Sequence, residues 1–113
     1  MLDNPRLTTI ATCIAGKAKE VLRDKLHAVV LYGSYARGDY DAESDVDIMV
    51  LADIPRECLA AYKNDFIALS SALGLEYDVV ITITLKDTET FYRYLEAVPF
   101  YKTVQREGIR IAV

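Results

Sequence analysis

The sequence predicts a chain of the α/β class, of α+β type: a small mixed β-sheet flanked by helices. Three observations carry this. The runs "AVVLY" (Ala28–Tyr32), "DVDIMVL" (Asp45–Leu51) and "YDVVITITL" (Tyr77–Leu85) have the β-branched composition of buried strands. Segments with apolar residues at helical spacing surround them. The first two runs are joined by Gly33–Ser44, which is too short for a crossover helix. Those two strands therefore pair antiparallel, or the sheet is mixed. Of 113 residues, 52% are hydrophobic and 27% charged, the balance of a globular chain. The length suits one domain over residues 1–113.

Taken in order, Asn4 and Pro5 read as the cap and first turn of a helix. Leu7, Ile10, Ile14, Ala18, Val21, Leu22 and Leu26 then recur at helical spacing, which predicts a helix from about Pro5 to Lys25. The first two strands follow. Asp53 is expected to cap a helix with Pro55 near its start, running to about Leu73 and stopped by Gly74. After the third strand, Asp87 caps a helix through "TETFYRYLEA", which ends before Pro99. "FYKTVQRE" is a last helix closed by Gly108, and "IRIAV" (Ile109–Val113) a short final strand.

Composition removes several functions. The net charge of −4 argues against a broad basic surface, so no direct nucleic-acid contact is expected. A nucleotide held through metal ions stays open. Cys13 and Cys58 form no CxxC pair, and with His27 as the single histidine they do not make a zinc site. Two buried thiols in a reducing cytosol are expected instead. The start "MLDNPRLTTI" lacks the basic and apolar regions of a signal peptide. No apolar stretch reaches the ~18 residues of a membrane span. A cytoplasmic protein without membrane association is expected.

The stretch "GSYARGDYDAESDVD" (Gly33–Asp47) carries two glycines, two serines and five carboxylates between two strands. A P-loop would need Lys and Ser or Thr after Gly38, where Asp39 and Tyr40 stand. A calcium loop would need glycine at Ser44 and glutamate at Val50. What fits is a metal-dependent phosphate site. Asp45 and Asp47 alternate on a strand and point to one face. Their α-carbons lie ~6.6 Å apart at ~3.3 Å per residue. Two carboxylates so placed can share a pair of Mg²⁺ ions. Asp47, inside an apolar run, wants such a partner, because a buried carboxylate without one is costly. Gly33 lets a phosphate approach the backbone, Ser34 offers a hydroxyl, "SYAR" a short helical turn, and Arg37 a positive charge. Asp39, Asp41 and Glu43 read as ordinary acidic surface.

These residues spell G-S-x10-D-x-D, which resembles the signature of the nucleotidyltransferase superfamily with the polymerase-beta-type fold. The fuller "GSYARGDYDAESDVDIMVL" resembles the minimal nucleotidyltransferases, the MNT family, whose members include the MntA-like antitoxins of HEPN/MNT systems. The resemblance implies a nucleotidyltransferase (polymerase-beta-like) fold and a third carboxylate on a neighbouring strand. Asp78 in "EYDVVI" matches that position, with Glu76 as a rival on the same face. The implied catalytic and metal-binding set is Asp45, Asp47 and Asp78. Gly33, Ser34, Arg37 and Ser44 are implied to bind the nucleotide.

The implied reaction is nucleotidyl transfer with two Mg²⁺ ions and ATP. An acceptor hydroxyl attacks the α-phosphorus and pyrophosphate leaves; Asp78 can take the acceptor's proton. No appended substrate domain is visible, so a partner must present the acceptor. The resemblance implies a HEPN-domain RNase toxin in a hetero-oligomer, with AMP moved to its tyrosine. Two other readings compete: an antitoxin that silences by binding alone, and an aminoglycoside-type enzyme acting on a small molecule. Tyr35 and Tyr40 flank the site and are candidates to stack on a base. Tyr92, Tyr94 and Tyr101 read as half-buried core edges more than as partner surface.

Overall fold

A computed structural model describes residues 4–112. The expectations for Met1–Asp3 and Val113 lie outside the described residues. Asn4 caps α1 (Pro5–Leu22): its side chain accepts from the amides of Arg6 and Leu7 at 3.0 and 3.2 Å. Leu7, Ile10, Ile14, Ala18 and Leu22 form its buried stripe. The helix stops short of Lys25. Arg23 turns to φ 52°, residues 23–25 make a 3₁₀ turn, and Leu26 opens β1 (Leu26–Tyr32). Leu26 continued the helical stripe in sequence but belongs to the strand.

α2 (Ser34–Arg37) follows β1, as the "SYAR" turn predicts. β2 (Val46–Ala52) is buried at every residue except Asp47, which is half-buried. A 3₁₀ turn at Arg56–Cys58 then leads into α3 (Ala60–Tyr77). Asp53 does not cap α3; its carboxylate faces His27 instead. β3 (Ile81–Asp87), α4 (Thr88–Arg93), α5 (Pro99–Glu107) and β4 (Ile109–Ala112) complete the chain. Asp87 caps α4 as expected, accepting from the Thr90 amide at 2.9 Å. Cys13 and Cys58 are both exposed, which corrects the expectation of buried thiols. Cys13 lies beside the buried stripe of α1, and Cys58 lies in the 3₁₀ turn.

The sheet is mixed, in the order β3-β2-β1-β4. β1 pairs antiparallel with β2 and β4, while β2 and β3 run parallel across the α3 crossover. α1 and α3 cover one face, over Val29, Leu31, Ile48, Val50 and Leu85. Phe91 of α4 and Val104 of α5 pack on the other, over Ala28, Met49 and Leu51. Among the described residues no helix is long and apolar enough to cross a membrane.

The α3–β3 junction departs from expectation. The helix does not stop at Gly74 but runs on to Tyr77, and β3 starts at Ile81 instead of Tyr77. Asp78 takes the left-handed conformation (φ 53°, ψ 55°), and its amide bonds the Gly74 carbonyl. A Cβ on Gly74 would lie 2.8 Å from the Val79 carbonyl oxygen. The glycine therefore serves the return of the chain over the last turn, without ending the helix before that turn.

Candidate active site

β1 and β2 bring Gly33 and Asp47 together at one end of their hairpin. Tyr32 pairs with Asp47 across the two strands. Gly33 then takes φ 80° and ψ −159°, a region open almost only to glycine. A Cβ there would lie 2.5 Å from Asp47 Oδ2. Gly33 is thus required twice, by its backbone and by the carboxylate that fills the space of its missing side chain. Its carbonyl accepts the amides of Ala36 and Arg37, both at 3.1 Å, which starts α2. Gly38 (φ 87°) ends it. The first amides of the turn, Ser34 and Tyr35, have no carbonyl within the helix to bond.

The acidic loop is ordered by its own side chains. Asp41 Oδ1 accepts the Glu43 amide at 2.9 Å, and the Ser44 hydroxyl accepts the Asp41 amide at 2.9 Å. Ser44 therefore shapes the approach to Asp45. Tyr35 is buried, and Tyr40 stacks on it with centroids 4.3 Å apart and planes at 18°. That pairing removes Tyr35 from the candidates for base stacking.

Electrostatics mark Asp47. Burial pushes its pKa above the ordinary carboxylate value, the nearby charge of Asp45 pushes it further, and Arg37 opposes both. A half-buried carboxylate whose pKa a neighbouring carboxylate pushes up calls for a cation. Arg37 is held outside the pair: its Nε lies 3.1 Å from Asp39 and its Nη1 3.3 Å from Glu107 of α5.

Asp78 is not brought to the pair. In the parallel register Asp47 lies beside Thr82 and Val46 beside Ile81, so Asp78 precedes the strand. It is exposed at the end of α3 and lines a groove with Ser44, Leu75 and Val80. Glu76 lies within the last turn of α3. Both positions follow from the helix continuing through residues that were expected to lead into a strand. Among the described residues no three Asp, Glu, His or Cys side chains converge as a metal site. Sequence reasoning missed Tyr32. Burial raises its pKa, a hydrogen bond with Thr84 lowers it, and the Asp47 charge raises it again. The signal was its place immediately before Gly33, on the same strand face as Asp47.

Residues 16–110 match the family model described as a nucleotidyltransferase domain. Two proteins of Methanocaldococcus jannaschii, both named "putative protein adenylyltransferase", are 36% and 34% identical to this chain. Each alignment covers 80% of this chain, and 84% and 82% of the relatives. In fold, the chain is similar to one from the crystal structure of a mutant MntA–HpeT toxin–antitoxin, with a TM-score of 0.53 and 18% identity. That likeness covers 88% of this chain and 70% of the other. With the family model spanning most of its length, this chain belongs to the nucleotidyltransferase domain family.

Proposed function

We propose that this chain, acting as one domain over residues 1–113, is a Mg²⁺-dependent protein adenylyltransferase. It moves AMP from ATP onto a tyrosine hydroxyl of a HEPN-type RNase toxin and so acts as its cytoplasmic antitoxin. One observation carries the catalytic reading: Asp47 fills the space left by Gly33, beside Asp45, at the mouth of the α2 turn. The donor set fits magnesium, which binds through one or two carboxylates together with substrate phosphates. Asp45 and Asp47 would hold it. When bound, it supplies charge neutralisation and lowers the pKa of the attacking hydroxyl.

The chain's own residues do the rest. The backbone at Gly33 and the Ser34 hydroxyl receive phosphate oxygens. Arg37 turns from Glu107 toward the triphosphate. Ser44 holds the loop that presents Asp45. Asp78 borders that loop through the shared groove, and its proposed role is acceptor-side base. The acceptor oxygen bonds to the α-phosphorus, the bond to the β-phosphate oxygen breaks, and pyrophosphate leaves. Two supports favour a protein acceptor. The relatives are named for protein adenylyl transfer, and the fold neighbour comes from a toxin–antitoxin pair.

The test mixes the protein with Mg²⁺ and each α-labelled nucleotide, with and without the protein encoded beside it. The Asp45→Asn, Asp47→Asn double variant is the control. Label from ATP should move onto the neighbour and be lost in the variant. A neighbour still bound and silenced by the variant, with no label anywhere, would leave a binding antitoxin and overturn the catalytic reading.

A further inference from the structure

The far end of the β1–β2 hairpin carries a second constellation. His27, the single histidine, sits at the irregularity between Leu26 and Ala28 of β1. Its Nδ1 lies 3.7 Å from Asp53 Oδ1, just past β2. Its Nε2 lies 3.5 Å from the Tyr92 hydroxyl of α4. The two rings meet edge to face, 5.6 Å apart at 75°. Carboxylate, imidazole and hydroxyl thus lie side by side, with the carboxylate near one ring nitrogen and the hydroxyl near the other. That order lets a hydroxyl give its proton to a base as it attacks, while the carboxylate steadies the imidazolium. The contacts are long, as such contacts often are before an electrophile arrives. Tyr92 is 41% exposed, so a reagent can reach its oxygen.

None of the three belongs to the Asp45–Asp47 site. From His27 to Tyr32, the partner of Asp47, β1 spans ~16 Å at ~3.3 Å per residue. Tyr92 therefore cannot reach the site of its own chain, and a transfer to it must come from another molecule.

We propose that Tyr92 is a modification site. Its phenol is an acceptor hydroxyl, activated by His27 and Asp53, for the adenylyl group of a nucleoside triphosphate held at the Asp45–Asp47 site of a second copy. The donor half rests on the function proposed above. Tyr92 Oη bonds to the α-phosphorus, the bond to the β-phosphate oxygen breaks, and pyrophosphate leaves. The phenol proton passes to His27 Nε2, and the imidazolium faces Asp53 until it loses a proton to solvent. To accept that proton, Nε2 must carry none of its own. Tyr94 is an internal comparison: it is 46% exposed on the same segment, and no hydrogen bond to histidine is found for it among the described residues.

The experiment uses the Asp45→Asn, Asp47→Asn protein as substrate and the wild-type chain as enzyme, with Mg²⁺ and labelled ATP, with and without the protein encoded beside it. Peptide mass spectrometry reads the label. Tyr92 of the inactive copy should be adenylylated and Tyr94 not. His27→Gln in that copy, checked for folding by circular dichroism, should slow labelling by about tenfold or more, and Tyr92→Phe should abolish it. Label on the neighbouring protein but none on Tyr92 would overturn this proposal and leave the proposed function standing. No label on any protein overturns the proposed function and with it the adenylyl donor. An arylsulfonyl fluoride, which needs no enzyme, then reads the phenol alone. Tyr92 reacting several times faster than Tyr94, and slowed in His27→Gln, supports an activated hydroxyl; equal rates overturn it.

Discussion

Gly33 shows how tightly one residue is tied to the site. Its φ of 80° excludes a side chain on backbone grounds, and the Asp47 carboxylate excludes one on steric grounds. Gly33→Ala should cost about 1–3 kcal/mol from backbone strain alone and displace Asp47 as well. Thermal unfolding and titration with Mg²⁺ and a non-hydrolysable ATP analogue check this; unchanged stability and binding would contradict it. Asp47 gives the opposite sign. Its pKa in the fold lies above the ordinary value of 3.8, so protonation favours the folded state. The cost is absent below that ordinary value and grows as pH rises through the raised one. Asp47→Asn should therefore stabilise the metal-free protein at neutral pH and leave it unchanged in acid, by melting temperature at both, while losing transfer. Asp47 was legible as a strand residue inside an apolar run, but the strand placement of Asp45 was not, because β2 begins at Val46 and leaves Asp45 exposed in the loop before it. The conformation of Gly33 was not, since glycine occurs with either sign of φ. Nor was the burial of Tyr35, which depends on how the short α2 turns against the core.

Two of the three expected helix caps were legible; the third, Asp53, faces His27 and leaves α3 without a side-chain cap. Asn4 and Asp87 cap helices as their types suggest. Where two signals competed, sequence reasoning chose wrongly. Gly74 marks a helix stop, yet Leu73 is buried against the sheet and Leu75–Tyr77 continue the turn, so Asp78 ends as the left-handed residue. Asp78→Asn measures what that junction does in solution. With Asp78 as acceptor-side base it should lower transfer by on the order of a hundredfold with nucleotide binding retained; full activity removes it from the set. Asp87 makes a cleaner test of an element. Burial would raise its pKa, but hydrogen bonds from the Thr90 side chain and amide outweigh this and leave it lowered. Its contribution is therefore present above the ordinary value of 3.8 and lost as pH falls through the lower folded one. Asp87→Ala should cost about 1–2 kcal/mol by urea unfolding near neutral pH, and Asp87→Asn less.

At the scale of the molecule, the sheet order places the candidate site where the β1–β2 hairpin meets two later elements. The antiparallel pairing of β1 with β2 was legible from the short connection. The pairing of β1 with β4 was not, because Leu31 and Ile109 meet only through the whole intervening chain. That closure matters chemically. It carries α5 back to α2, where Glu107 holds Arg37, the cation proposed for the triphosphate, at 3.3 Å. Arg37 is shared between Asp39 and Glu107, and if it binds the triphosphate as proposed it leaves at least one of them. Exposed ion pairs are weak, so the restraint is small but measurable. Glu107→Gln should lower the KM for the nucleotide by about twofold to fivefold, with kcat and melting temperature nearly unchanged. Raising the salt concentration should shrink the difference, because screening already loosens the pair in the wild type. An unchanged KM would mean that Arg37 does not reach the nucleotide. A raised KM would mean that Glu107 orients Arg37 for binding, and α5 would then be part of the site instead of a brake upon it.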